Sequence, residues 1–316
     1  MHLQRLDLNL LIALDALLTE QSVTKAAQRT HVSQPAMSGA LTRLREHFQD
    51  ELMVRVGRSM VLTPFGAGLM PQVTELLARV TAVVTSRPGF DPATTDRTFT
   101  ITASEYLLTV FAPLVTAKIL AAAPGASLNI QLRSHDHEQR MAMGHIDAAL
   151  GVGGLTLPQH PCTPLFVDEY VCVACKDNQD IGETLSLAQF LAAPQAMRAM
   201  SRDNSLTLED AWLQQQGYVR KVALLVPSFD TLPRMVIGSR MIAPMQRRLA
   251  EMSAAALPIR ILPHPAAVPP LVAMLQWPMF REEDPGSQWL RELIVDTARE
   301  AFGEPPALTH GAQAKA

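Results

Sequence analysis

The chain has 316 residues, of which 48% are hydrophobic and 18% charged, with a net charge of −3. This composition points to a well-cored globular chain of two or three domains and argues against a whole-chain binder of polyanions. The three cysteines, Cys162, Cys172 and Cys175, are too few for a disulfide framework and fit a reducing compartment.

The first element in chain order is a core helix, marked by the apolar stripe Leu10, Leu11, Leu14, Leu17 and Leu18. Two shorter helices follow, over 22–29 and 33–48, joined by a tight turn. Ala26 and Ala27 are small enough for a close helix crossing, and Val32 supplies an apolar plug at the turn. Ser33 suits an N-cap, and Pro35 is tolerated in a first helical turn. On the third helix, Ala36, Ala40, Leu41, Leu44 and Phe48 share the core face. Gln34, Met37, Ser38, Thr42 and Arg45 lie on the outward side. A helix with such a polar, exposed start can enter a DNA major groove. Strands at 52–56 and 60–62 around Gly57 form a hairpin, a wing that brings Arg55 and Arg58 to phosphates. Residues 25–60 hold six Lys and Arg against three Asp and Glu, a local excess of +3 that suits a duplex-binding face.

Thr63-Pro64 opens a helix of about 24 residues, roughly 36 Å long at 1.5 Å per residue. Leu69, Val73, Leu76, Val80 and Val83 recur at spacings of 4, 3, 4 and 3, which is a heptad seam for dimerisation. The other reading is a helix packed only on its own domain. Arg87-Pro88-Gly89 and Asp91-Pro92 mark the domain boundary.

From residue 97 strands and helices alternate, which reads as an α/β arrangement with mainly parallel pairing and two small lobes. Strands are expected at 97–103, 127–133, 147–152, 165–175, 195–200, 220–226, 240–244, 259–263 and 270–277. Helices are expected at 105–122, 137–144, 186–192, 207–216, 230–238, 246–254 and 285–302. The tail beyond Phe302 is expected to be disordered. Clefts between α/β lobes form where strand ends meet helix N-termini. Ser104 stands at such a corner, and Arg133, His135, Ser201, Ser228 and Phe229 follow other strands. Phe229 suits stacking on an aromatic ring or a core role.

No run approaches the roughly 20 apolar residues of a membrane span. The first residues have neither the charged region nor the cleavage site of a signal peptide, so a cytoplasmic location is expected. The motifs G-x-S-x-G, H-E-x-x-H, the P-loop and a helix-opening G-x-G-x-x-G are absent, so neither an enzyme nor a cofactor is expected. His135-Asp136-His137 has no third ligand and reads as surface, so no metal is expected. Cys172 and Cys175 lie in an apolar strand that points their sulfurs to opposite faces.

The chain resembles the LysR-type transcriptional regulators over nearly its whole length. The resemblance is carried by Ala26-Ala27, Ser33-Gln34-Pro35-Ala36-Met37-Ser38, Arg43-Leu44-Arg45, Val54-Arg55-Val56-Gly57-Arg58 and Leu62-Thr63-Pro64-Phe65-Gly66. The segments at 6–11 and 284–291 resemble a sub-branch of nodulation regulators and regulators of aromatic catabolism. Gly39 is a departure, because many members carry a larger, often basic, residue there.

The resemblance implies an α/β multidomain chain. A winged helix-turn-helix would occupy 1–63, a linker helix 64–88, and a two-lobed effector domain like a periplasmic binding protein 89–303. Lobe one would hold about 97–163 and 270–302, and lobe two 169–265, with crossings near 164–170 and 264–271. Thr24, Ser33, Gln34, Pro35, Met37, Ser38, Thr42, Arg43, Arg45, Arg55 and Arg58 would face DNA. Ser104, Arg133, His135, Phe166, Asp168, Ser201, Ser228 and Phe229 would surround the effector. Some relatives carry histidine where Asp168 stands, which favours a neutral phenolic, quinone-like or cationic ligand over a salicylate-like one. The implied partners are operator DNA with an inverted repeat, a small aromatic effector, and further copies of the chain as dimer and tetramer. RNA polymerase is a further candidate, and no membrane is involved. A ligand-independent or protein-controlled regulator is the alternative, and a small-molecule-binding protein or α/β enzyme a more distant one.

Overall fold

The first apolar stripe forms α1 (Leu8–Glu20), which buries Leu10, Leu14, Leu17 and Leu18. The structure is a computed structural model and describes residues 8–57, 59–85, 89–134, 136–199 and 207–305. Helix α2 (Val23–Arg29) starts at Ser22, whose hydroxyl accepts the Lys25 N–H at 3.3 Å. His31 then adopts φ 55°, the left-handed conformation that reverses the chain. Helix α3 (Gln34–Phe48) is capped by Ser33, which accepts the Ala36 N–H at 3.3 Å. Strands β1 (Met53–Val56) and β2 (Ser59–Leu62) pair antiparallel, with Val56 opposite Ser59. Helix α4 (Pro64–Thr85) begins where the Thr63 hydroxyl accepts the Gly66 N–H at 3.0 Å.

One core unites α1 to α4, and it corrects three sequence expectations. Met37, Ala40, Leu41 and Leu44 form the buried face of α3, whereas Ala36 is exposed. The buried set follows the i, i+3, i+4, i+7 helical period, and its first member is Met37, not Ala36. Val32 is 45% exposed and plugs nothing. Val73 is buried in this same core, and Leu69 packs against it.

The later elements are β3 (Thr98–Ala103), α5 (Glu105–Val110), α6 (Ala112–Ala122), β4 (Ser127–Leu132), α7 (His137–Ala142), β5 (Ala148–Val152), β6 (Cys162–Asp168), β7 (Tyr170–Cys175) and α8 (Leu187–Ala192). They continue with β8 (Gln195–Arg198), α9 (Leu208–Gln215), β9 (Val222–Val226), α10 (Leu232–Met235), β10 (Ile242–Gln246), α11 (Arg247–Ala254), β11 (Ile259–Pro263), β12 (Leu271–Gln276) and α12 (Pro285–Phe302). By contacts the chain divides into two compact units. One runs through Gly89 and takes in α7, and the other begins at Phe90.

The second unit contains two five-stranded sheets, ordered β4-β3-β5-β12-β6 and β11-β7-β10-β8-β9. The chain passes from the first sheet to the second between Asp168 and Tyr170. It returns between Pro263 and Leu271. The pairing is mixed, not mainly parallel. β3 runs parallel to β4 and β5, and β8 to β9 and β10. β12 is antiparallel to β5 and β6, and β7 to β10 and β11. The strands that leave and re-enter a lobe thus reverse direction against their neighbours. The helix expected over 105–122 is two helices broken at Phe111, just before Pro113 in the first turn of α6. The strand expected over 165–175 is likewise two, one in each sheet. Cys172 and Cys175 are free and buried in β7, and burial pushes the Cys172 thiol well up. Among the described residues no helix is long and apolar enough to cross a membrane.

Candidate nucleic-acid interface and ligand cleft

Helix α3 presents Gln34, Pro35, Ser38, Thr42 and Arg43 as exposed side chains, with the capping Ser33 just before them. Thr42 donates its hydroxyl back to the Ser38 carbonyl at 3.2 Å. A Cβ added at Gly39 meets nothing within 4 Å, so this glycine leaves an open step on the helix face. Thr24 is exposed on α2, and the cap of that helix is Ser22.

Two expected DNA contacts are committed inside the domain. Met37 is 2% exposed and belongs to the core. Arg45 donates to the Glu51 carbonyl at 2.9 Å and the Met53 carbonyl at 2.8 Å, and pairs with the Glu51 carboxylate at 3.1 Å. Its guanidinium braces the entry to β1. Arg55 remains exposed on the wing and donates to the Gly57 carbonyl at 3.3 Å. Arg58 lies outside the described residues.

The seam of α4 divides. Leu69 and Val73 serve the domain's own core, whereas Leu76 is 45% exposed and Val83 and Val84 are each 76% exposed. Val80 is half-buried. The free apolar face therefore lies in the second half of the helix.

In the second unit, α5 starts at the junction of the two lobes. The Ser104 hydroxyl accepts the Leu107 N–H at 3.4 Å, and the Ser104 N–H donates to the Leu150 carbonyl at 2.8 Å. Glu105 reaches the second lobe. It accepts from Arg198 Nε at 2.9 Å and from the Ser228 hydroxyl. Tyr106 donates to Asp168 at 2.5 Å. Burial, then the adjacent Asp168 carboxylate, raises the Tyr106 phenol above its ordinary value. Asp168 also accepts the backbone N–H groups of Glu169 and Arg248.

Asp168 is only 4% exposed with both oxygens occupied, and so fastens the strand crossing to α5 and α11. Phe166 is 2% exposed, with its ring 4.3 Å from that of Phe302 and 5.6 Å from that of Phe111. The structure therefore moves Phe166 from the cleft wall to the core. Arg133 donates to the Leu155 carbonyl at 2.7 Å, and burial lowers its pKa. His135 and Ser201 lie outside the described residues.

A small hollow in the second lobe, with room for about one water molecule, is lined by Tyr170, Arg198, Thr207, Glu209, Asp210 and Phe229, among others. The Arg198 guanidinium lies 5.1 Å above the Phe229 ring. Glu209 pairs with Arg220 at 2.7 Å and approaches His264 Nε2 at 3.2 Å, and Asp210 also pairs with Arg220. Burial, then the charges of Glu209 and Asp168, raises the Tyr170 phenol. Of the residues expected around a ligand, the structure brings Phe229 to this pocket, with Ser228 next to it in the chain, while Ser104 only precedes Glu105, the partner of Arg198. Arg198, Glu105 and Glu209 escaped sequence reasoning. Only Glu105 carried a signal, its place next to Ser104. Among the described residues no group of three His, Cys, Asp or Glu is arranged to hold a metal ion.

A winged helix-turn-helix with an exposed recognition helix, followed by a two-lobed α/β binding domain, defines a DNA-binding transcriptional regulator with an effector domain. Residues 8–67 match the family described as "Bacterial regulatory helix-turn-helix protein, lysR family", and residues 92–299 match "LysR substrate binding domain". The chain belongs to the LysR family of transcriptional regulators and is not an enzyme. It is 36% identical to nodulation protein D 2 of Rhizobium tropici over 298 residues, 94% of this chain and 95% of that one. It is 35% identical to nodulation protein D 1 of Neorhizobium galegae, over 98% of this chain and all of the relative. The structure of the probable transcriptional regulator PA0477 from Pseudomonas aeruginosa superposes with a TM-score of 0.62 at 28% identity, covering 92% of this chain and 97% of that one. Full-length CbnR complexed with its target DNA shares the fold, with a TM-score of 0.52 at 15% identity over 93% of this chain and all of that one.

Proposed function

We propose that the chain reads an inverted-repeat operator as a dimer and is controlled by a small aromatic effector held between its lobes. The observation that carries the DNA reading is the exposed polar start of α3, where Gln34 and Ser38 stand on one outward face. Gln34 offers a bidentate pairing to adenine, and Ser38 and Thr42 lie further along the groove. Ser33, Thr24, Arg43, Arg55 and Arg58 hold phosphates and set the register. Pro35 packs on a thymine methyl. Leu76, Val80 and Val83, with Val84 beside them, form the dimer face of α4. The aromatic reading is supported by Tyr170 and Phe229 in the pocket wall. This reading assigns further effector contacts to Ser104, Arg133, His135, Ser201 and Ser228.

The domains run over 1–63, 64–88 and 89–303, with a tail at 304–316. The protein works in the cytoplasm, pairs dimers into tetramers and meets RNA polymerase at its promoter. Enrichment of random duplexes on the full-length chain tests the reading. The expected product is an inverted repeat whose half-sites lie about one helical turn apart, roughly 10 base pairs, or a multiple of it. Enrichment of unpaired half-sites overturns the dimer, and no enrichment overturns the base readout.

A further inference from the structure

The first lobe holds an arginine whose charge the fold does not neutralise. Arg133 follows β4, and its backbone N–H donates to the Ala103 carbonyl at the end of β3, at 2.9 Å. Its side chain crosses to the far side of β3, where Nη1 donates to the Leu155 carbonyl, just beyond β5, at 2.7 Å. Arg133 therefore spans the corner at which Ser104 stands. The next residue, Glu105, meets Arg198 of the second lobe, so this corner lies where the lobes adjoin.

Among the described residues, the Leu155 carbonyl is the one partner of this guanidinium, and no carboxylate pairs with it. Covering by its neighbours lowers the Arg133 pKa, and no acid raises it. Arg97 in the same lobe is the opposite case. Burial lowers its pKa, but Asp147 and Asp284, at 2.9 and 2.6 Å, outweigh burial and raise it. Arg133 is also open to solvent, and most of its N–H donors remain unused. Gly151 leaves its flank bare, since a Cβ there would stand 3.8 Å from Nη1. The Ser104 hydroxyl accepts the Leu107 N–H, and among the described residues its own proton has no acceptor.

The acids around this corner are held elsewhere. Glu105 accepts from Arg198 and the Ser228 hydroxyl. Asp168 is the residue that favours a neutral or cationic ligand from sequence. It is 4% exposed and accepts Tyr106 and two backbone N–H groups, so it does not face an entering ligand. The corner thus offers donors and one positive charge with no acid of its own, which is the chemistry of an anion receptor.

We propose that Arg133 is a specificity-determining residue and that the effector it selects carries a carboxylate. The inference rests on the cleft being the effector site and names the chemical class of its ligand. The planar fork of a guanidinium matches the two oxygens of a carboxylate. A single positive charge balances a carboxylate monoanion and leaves a phosphate dianion half neutralised.

Benzoate with benzamide, and butyrate with butyramide, each set an acid against a neutral amide of like shape, one pair aromatic and one aliphatic. Inorganic phosphate serves as a second kind of anion. Each is titrated calorimetrically into the full-length chain and its R133Q and R133K variants, with circular dichroism on all three. The wild-type chain is expected to bind at least one acid about tenfold more tightly than its amide, and more tightly than phosphate. R133Q is expected to lose that preference and R133K to keep part of it. R133K alone decides if R133Q does not fold. An amide that binds as well as its acid, or a preference unchanged in the variants, overturns the proposal and leaves the reading of the cleft standing. Tighter binding of phosphate overturns the choice of carboxylate. If no probe binds, the reading of the cleft falls with the proposal.

Discussion

Thr74 on α4 donates its hydroxyl to Asp15 on α1 at 2.8 Å, across 59 positions of sequence. The other oxygen of that carboxylate takes Arg29 of α2, also at 2.8 Å. One buried carboxylate therefore ties three helices of the DNA-reading unit together. Removing it strands the Thr74 hydroxyl, whereas Arg29 is a third exposed and keeps Glu20 at 3.8 Å. We expect Asp15→Ala to lower the unfolding free energy by about 2 kcal/mol. Denaturant melts followed by circular dichroism measure it, and a loss indistinguishable from zero refutes the tie.

Base readout and phosphate contact separate by their dependence on sequence and salt. Gln34→Ala is expected to weaken binding to the operator by roughly 1–3 kcal/mol while leaving random duplex nearly unaffected. Arg55→Ala is expected to weaken both and to lower the salt slope by about one unit. Fluorescence anisotropy at several salt concentrations reads both effects. Equal losses on operator and random DNA for Gln34→Ala would falsify its assignment.

Two glycines of the same unit make opposite predictions. Gly39 faces open space on α3, so Gly39→Ala is expected to stabilise the helix by about 1 kcal/mol through propensity alone. Gly66 lies in the first turn of α4, where a Cβ would collide with the Leu52 carbonyl oxygen. Thr63 donates its N–H to that same oxygen at 3.0 Å, so the backbone has no room to retreat. Gly66→Ala is expected to destabilise the unit. Thermal melts of the two variants should move in opposite directions.

The divided seam of α4 allows the proposed dimer face to be tested apart from the fold. Val73 is 4% exposed in the core, so Val73→Ala is expected to cost about 2 kcal/mol of stability without changing the oligomeric state. Val83 is 76% exposed, so Val83→Glu is expected to leave stability of the fold intact and weaken self-association. Sedimentation velocity beside thermal melts distinguishes the two. Dissociation by the first variant and none by the second would place the dimer face elsewhere.

Asp284 caps α12, accepting the Ser287 N–H at 3.0 Å and Arg97 Nη1 at 2.6 Å. Burial alone raises its pKa, but the Ser287 hydroxyl and the Arg97 guanidinium outweigh burial and hold the carboxyl below its ordinary 3.8. A carboxyl depressed in the folded state stabilises fully above its unfolded value and loses that contribution as pH falls through the folded one. The window therefore lies below about pH 4. We expect Asp284→Asn to reduce stability at pH 7 and to flatten the loss of stability on acidification. Melting temperatures across pH 2–7 check it, and an unchanged acid limb counts against this role.

Elements governed by local pattern were legible in the sequence. Ser33, Pro35 and the apolar period of α3 located the recognition helix, and Asp284-Pro285 located the start of α12. The errors arose where two residues competed for one role. Ala36 and Met37 are neighbours in chain and helix, and only the packing of α1 against α3 decides which is buried. Val32 and Phe166 show the same limit in both directions, one exposed and one enclosed by Phe111 and Phe302. Arg45 looked outward by period, yet its guanidinium is long enough to turn back to the Glu51 carbonyl. The cleft was least legible, since Glu105 meets Arg198 across 93 positions and no local pattern records such a pair.

The split face of α4 has a consequence for the geometry of the operator. Asp15 and Thr74 fix the rotation of this helix about its own axis relative to α1, and with it the bearing of Leu76 and Val83. In a dimer joined through that face, the same bond sets the distance and the angle between two recognition helices. In such a dimer the half-site spacing of the DNA would be gauged by a hydrogen bond that touches neither DNA nor partner. With that bond broken, such a dimer would keep its alphabet of base contacts and lose its ruler.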